Sequence, residues 1–150
     1  MTAMRTATVP ARISIVTLGV RDLAASSAFY EALGWQRTDS SNDQIVWFRT
    51  ADSYLGLFPW HELAADANRP GEPPAAFGGV TLAINVEREE DVPRHLEAAV
   101  AAGGTLLRPP RRIQEIGVTA GYFADPDGHP WEVAFNPAFP IGDDGSITIP

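Results

Sequence analysis

The sequence contains no cysteine and no lysine. Without cysteine there is no disulfide, no thiolate metal site and no cysteine nucleophile. Without lysine there is neither a Schiff-base amine nor a lysine general base. All 11 basic residues are arginine. No apolar run approaches the roughly 20 residues needed to span a bilayer. Met1–Pro10 lacks the apolar stretch of a signal peptide, so no membrane contact and a cytoplasmic location are expected. Positive charge is also scarce overall. Nineteen Asp and Glu leave a net charge of −8, which a phosphate backbone repels, so no nucleic-acid partner is expected. The one basic cluster, Arg108 to Arg112 with Pro109 and Pro110 inside it, reads as a solvated loop, the alternative being contact with an anionic ligand. What is present is ordinary for a globular chain: 150 residues, 45% apolar and 20% charged, enough to bury the core of one domain.

Residues 1–11 read as a loose arm. Ile13–Val20 alternates and is β-branched, which predicts a strand. Asp22 then caps a helix that runs to Leu33 and stops at Gly34. Trp35–Thr38, Gln44–Arg49 and Tyr54–Phe58 are strand candidates separated by turn-forming residues, and His61–Ala67 is a short helix. After a Pro- and Gly-containing link the pattern returns. Gly79–Val86 is a strand and Glu89–Ala102 a helix closed by Gly103 and Gly104. Thr105–Arg108, Val118–Ala124 and Pro130–Phe135 are strands, and Ser146–Ile149 is a candidate short strand in the tail.

The recurrence is the most informative feature. Ile15–Val20 and Thr81–Val86 match at an offset of 66 residues (81 minus 15), and each leads through a polar turn into an Ala-rich helix ending at glycine. The expected fold class is α+β: two βαβββ modules forming a curved mixed sheet around a cleft, with helices on the outer face. The expected domain is a single one over residues 1–150, with module one at about 12–67, a linker at about 68–77, module two at about 78–137 and a tail at 138–150. Val16, Leu18, Val20, Leu82, Ile84 and Val86 are the large apolar positions and are expected under the helices. Period two then turns Ile15, Thr17, Gly19, Thr81, Ala83 and Asn85 into the cleft.

Two segments carry a family resemblance: Val20–Trp35 (VRDLAASSAFYEALGW) and Asp125–Val133 (DPDGHPWEV). They resemble the vicinal oxygen chelate superfamily, which includes glyoxalase I, extradiol dioxygenases, and bleomycin- and fosfomycin-resistance proteins. The similarity covers roughly residues 12–137. The resemblance implies metal-ligand points at Ile15, Gly56, Thr81 and Glu132. Of these only Glu132 is a strong donor for a divalent ion, and about three protein ligands are normally needed. No metal and no cofactor are therefore expected. The histidines do not replace the missing donors: His129 sits in the turn before the last strand, His95 in the second helix, and His61 at the cleft edge, where surface and functional readings both stand. Relatives of this kind pair as dimers, so a homodimer is implied, its modules pairing within or between chains.

On the last strand, alternation sends Trp131 and Val133 to the core and Glu132 and Ala134 to the cleft. Glu132 is either a ligand-facing carboxylate, catalytic only if the protein is an enzyme, or a residue paired with an arginine such as Arg49. Val46 and Phe48 suit the core, which turns Trp47 to the cleft. Tyr54, Gly56 and Phe58 share a face, and Trp60 and Tyr122 complete an aromatic wall. Gly56 and Ala83 leave room, and Asn85, Thr17 and Thr81 offer polar anchors. Each aromatic also has a plain core reading. The first expectation is thus a metal-free small-molecule-binding protein of the bleomycin-resistance type, holding a drug or metabolite in an aromatic cleft. The alternatives are a lyase, isomerase or dioxygenase with a displaced metal site, and a metal-free acid–base enzyme using Glu132.

Overall fold

A computed structural model describes residues 9–150, so the expected arm at 1–11 lies outside the described residues over 1–8. The elements in chain order are β1 (Ile15–Val20), α1 (Leu23–Ala32), β2 (Val46–Arg49), β3 (Tyr54–Pro59), α2 (Trp60–Asp66), β4 (Leu82–Asn85), α3 (Asp91–Ala101), β5 (Thr105–Ile113), β6 (Val118–Ala124) and β7 (Pro130–Phe135). Two curved sheets result. The first has the order β1-β3-β2 and the second β4-β7-β6-β5. In each, the strand before the helix lies parallel to the last strand of its unit: β1 beside β3 and β4 beside β7. The recurrence in the sequence is therefore a recurrence of topology, a mixed α+β arrangement as expected. Among the described residues no helix is long and apolar enough to cross a membrane.

Local signals explain most boundaries. Asp22 accepts a hydrogen bond from the Ala25 amide at 3.0 Å and starts α1. Gly34, at φ +93°, ends it in a conformation that β-carbons disfavour. Four expectations need correction. Trp35–Thr38 is not a strand; it contributes one bridge, Arg37 to Phe48. The Thr38 amide donates to the Trp47 carbonyl at 2.8 Å, but the Trp47 amide goes to the Ser41 hydroxyl at 2.9 Å, so the ladder stops at one bridge. Ser146–Ile149 likewise gives only a bridge, Ile141 to Ile147. The strand expected over Gly79–Val86 is confined to Leu82–Asn85, Gly79 standing at φ +86°. Finally, Arg108 to Arg112 is no loop but the middle of β5. Its two prolines are tolerated because β5 is an edge strand with register shifts on both sides of Arg108.

The apolar alternation sorts the faces as the sequence reading expected. Leu18, Val20, Val46, Phe48, Leu55 and Leu57 are buried under α1 on one sheet; Val86, Phe123, Trp131 and Val133 are buried under α3 on the other. Both helix-covered faces belong to one core. Phe29 of α1 lies 6.2 Å from Phe123, Tyr30 6.0 Å from Trp131, and Trp35 5.6 Å from Trp131, centroid to centroid. Polar bonds latch the units together around the 125–129 turn. The Tyr30 hydroxyl donates to Asp125 at 2.6 Å, the Arg21 amide donates to Asp127 at 2.8 Å, and His129 Nε2 donates to the Gly19 carbonyl at 2.8 Å. A carbonyl only accepts, so that bond puts a proton on Nε2. With the helix faces joined, the opposite faces of both sheets are left open.

Gly104 shows how tightly α3 meets β6. A β-carbon there would stand 2.8 Å from the Ala124 carbonyl oxygen and 2.9 Å from that of Ala99. Backbone atoms cannot rotate aside, so Gly104→Ala is expected to cost about 2–3 kcal/mol. Chemical denaturation reads this directly; a loss under about 0.5 kcal/mol would show that α3 shifts freely on the sheet.

Candidate functional site

The expected site residues fall on the two open faces. On the first sheet, cross-strand register puts Thr17 beside Gly56 and Gly56 beside Trp47. The neighbouring row is Ile15, Tyr54 and Arg49, and the next pairs Gly19 with Phe58. Trp60 lies flat on Gly19; a β-carbon at Gly19 would come within 2.7 Å of the indole. The Trp60 ring nitrogen donates to the Gly71 carbonyl at 3.0 Å, so the link between units holds it in place. The idea that Gly56 leaves room for a ligand is corrected by its surroundings. A β-carbon at Gly56 would lie 3.1 Å from the Thr17 hydroxyl and 3.3 Å from the Trp47 ring, so those side chains already fill the space.

On the second sheet the corresponding row is Ala83, Glu132, Tyr122 and Arg108, drawn from four adjacent strands. Tyr122 donates its hydroxyl proton to Glu132 Oε2 at 2.9 Å. That bond to the carboxylate, aided by partial burial and by the negative charge of Glu132, holds the Tyr122 hydroxyl pKa above its ordinary value. Arg108 stacks on the other side, its guanidinium carbon 4.9 Å from the Tyr122 ring centroid. The next row on this face is Ala134 and Ala120, so the floor beside the polar row is made of small side chains. Thr81 precedes β4 and is exposed, and Asn85 closes β4 on the same face as Ala83. Arg49 is not the partner of Glu132: its guanidinium lies 5.1 Å over the Tyr54 ring on the other sheet. The phenol that binds Glu132 comes from the strand next door, a pairing that only register reveals.

Among the described residues no hydrogen bond, ring contact or ion pair joins these two open faces. A separate cavity of about 770 Å³ does bring Tyr54 and Asn85 together. It lies where the first sheet meets the β4 edge, over Trp35 and Trp131, and the tail residues 144–147 border it. Thr17, Trp47, Gly56, Tyr122 and Glu132 are not on its wall. Sequence reasoning placed Arg108 at the end of the strand Thr105–Arg108 but missed it as a member of the Glu132 row, because the register that sets it beside Tyr122 has no local signal. It also missed the tail as a cavity wall, for which the sequence offers no signal.

The donor set does not suit a divalent ion. Gly56 is flanked by Thr17 and Trp47, Glu132 by Ala83 and Tyr122, and the Glu132 carboxylate already accepts a hydrogen bond from the phenol. Ile15 and Thr81 supply no stronger ligand. His61 is exposed and faces Glu72 at 3.6 Å, His95 is exposed on α3, and His129 is bound to the Gly19 carbonyl. Among the described residues no three His, Cys, Asp or Glu side chains converge on one point. One carboxylate is too few for a retained ion of this kind.

The comparisons with known proteins bear on the family and the fold. Residues 12–133 match the model of the Glyoxalase/Bleomycin resistance protein/Dioxygenase superfamily. A glyoxalase-related enzyme from Fulvimarina pelagi is 40% identical, with 93% of this chain and 98% of that one covered and a TM-score of 0.82. Lactoylglutathione lyase from Agrobacterium tumefaciens is 26% identical over 85% of this chain and 96% of its own, with a TM-score of 0.63. The fosfomycin resistance protein FosX from Mesorhizobium loti shares the fold at 20% identity, covering 86% of this chain and 94% of its own, TM-score 0.62. No curated protein matches the chain. Two repeated units, each with its first strand parallel to its last, open faces opposite a common helix-covered core, and a family match over most of the sequence lead to one assignment: the chain belongs to the Glyoxalase/Bleomycin resistance protein/Dioxygenase superfamily.

Proposed function

We propose that this protein binds a small organic molecule without a metal ion, on the open face of the second sheet. The observation that carries the reading is the Tyr122–Glu132 pair beside a row of alanines, with no other group among the described residues bonded to the carboxylate. A phenol and a carboxylate fixed to each other offer an acceptor and an aromatic surface, the sparse polar set on an apolar ground that suits an organic ligand. We place the protein in the cytoplasm and assign it a homodimer in which each open face is completed by the partner. Supporting the dimer, Ile13, Ile15, Phe77 and Val80, at or near the starts of β1 and β4, are 72%, 50%, 70% and 62% exposed, large apolar side chains of the kind that association covers. Sedimentation of the purified protein tests the dimer.

The binding test has two parts. Elemental analysis is expected to find no stoichiometric divalent ion. Melting in Ni²⁺, Zn²⁺, Mn²⁺ or Fe²⁺ is expected to show none of the stabilisation, about 2.7 kcal/mol, that an ion at a hundredfold its Kd confers. In parallel, ligands found by tryptophan fluorescence are expected to bind Glu132→Gln at least tenfold more weakly. A tightly held ion ends the metal-free reading, and unchanged affinity ends the role of Glu132.

A second reading has its own support. Tyr122 donates a hydrogen bond to Glu132, and a relative 40% identical is described as a glyoxalase-related enzyme. Acid–base turnover without metal follows if Glu132→Gln abolishes product formation and keeps ligand affinity.

A further inference from the structure

Arg21, Arg37, Arg88, Arg94 and Arg112 each face a carboxylate within 4.0 Å, whereas among the described residues Arg12, Arg49, Arg69, Arg108 and Arg111 face none. Of these five, the other four are exposed and Arg108 alone is half-buried. Its Nε is buried without a hydrogen-bond partner, and its Nη2 reaches only the Ala120 carbonyl, at 3.5 Å. In a chain of net charge −8, acidic partners are plentiful, so a half-buried guanidinium left without one is a vacancy for an anion. The register shifts on either side of Arg108 turn it over the Tyr122 ring and into the Glu132 row.

We propose that Arg108 and Glu132 together select a small organic acid that also carries a hydrogen-bond donor. This rests on the binding reading above and names the ligand class for that site. The guanidinium fork takes the ligand carboxylate, and Glu132 accepts from a hydroxyl or amine at the far end. Tyr122 holds both partners, stacking under Arg108 and bonding to Glu132. β5 and β7 are two strand spacings apart, about 10 Å. One aromatic ring with its acid and donor at opposite ends matches that separation once side chains lean inward, and it fits over the alanine floor.

The probe is 4-hydroxybenzoate, with neutral 4-hydroxybenzamide as its isostere. Arginine Nε–H resonances are followed by NMR, the Arg108 signal being the one lost in Arg108→Lys. 4-Hydroxybenzoate is expected to shift that signal saturably, and the amide to bind at least tenfold more weakly by calorimetry. Arg108→Gln should lower 4-hydroxybenzoate affinity at least tenfold. Arg94→Gln, on the outer helix, should leave it unchanged. The wild-type comparison of acid with amide needs no variant, so a poorly folding Arg108→Gln does not block the test. If acid and amide bind this face equally, the organic-acid inference fails and the binding site stands. If neither probe moves Arg108 or Tyr122 resonances, this inference is overturned; the broader reading then stands or falls on the Glu132 test.

Discussion

Replacing Asp125 by alanine is expected to destabilise the protein by about 3–5 kcal/mol, the scale for breaking a buried network by removing one partner. Asp125 is 3% exposed, and each of its oxygens is occupied. Oδ2 accepts from the Tyr30 hydroxyl at 2.6 Å, while Oδ1 accepts from the Asp127 and His129 amides at 3.0 and 2.9 Å. The Trp131 ring nitrogen donates in turn to the Tyr30 oxygen at 3.1 Å. The alanine variant strands a hydroxyl and two amides, each costing about 1–3 kcal/mol if buried and unpaired. Tyr30→Phe keeps the ring packing and is expected to lose less, about 2–3 kcal/mol. Urea titration should show a lower midpoint at unchanged slope. A midpoint close to wild type for Asp125→Ala would mean that the turn is held by packing alone.

The same carboxyl predicts a pH dependence. Burial pushes the Asp125 pKa above the usual carboxylate value, outweighing the opposing hydrogen bonds from Tyr30 and the turn amides. A folded pKa above the unfolded one means that the folded state binds the proton more tightly. Its contribution is complete below the unfolded carboxyl value, about 3.9, and declines as pH rises through the folded value. The stability of wild type minus that of Asp125→Asn should therefore fall as pH is raised from about 3.5. A difference that rises over that interval would reverse the assignment. Tyr30, buried against the same carboxylate, has its hydroxyl pushed well above the ordinary phenol range and stays protonated throughout.

Trp131→Ala is the second large effect, again about 3–5 kcal/mol. The indole is 5% exposed and contacts both units. It stacks parallel to Phe123 at 6.2 Å, meets Trp35 edge-on at 5.6 Å and bonds to the Tyr30 hydroxyl. Its removal opens a void next to the 770 Å³ cavity, which it already lines, so the neighbours have little reason to collapse inward. Calorimetry should show a lower Tm with one cooperative transition retained if the core is shared. Two separated transitions in wild type would contradict a common core.

Most of the order of elements, both caps of α1 and the inward alternation of β1, β2 and β7 were legible because they depend on local chemistry. Asp22 and Gly34 bracket a helix whatever surrounds it. Val16, Leu18 and Val20, two residues apart, share a face wherever the strand ends up. That regularity also put Glu132 and Ala134 on the face opposite Trp131 and Val133. The failures came where local signals compete. Pro109 and Pro110 argued for a loop, and only an edge position makes them compatible with β5. The alternation around Trp35 argued for a strand, yet the pairing stops at one bridge because the Ser41 side chain takes the next β2 amide.

What the chain order alone determined is the inventory: two repeated units, one carboxylate on an otherwise donor-poor face, and no cysteine or lysine to extend its chemistry. Tertiary structure decided the partners. Glu132 meets Tyr122 ten residues away, Tyr30 meets Asp125 across 95 residues, and Arg108 stacks on Tyr122 in place of any acid. These pairings follow from strand register and from the docking of α1 on the other unit's sheet. Both are properties of distant segments packed together, and no local pattern of residues encodes them.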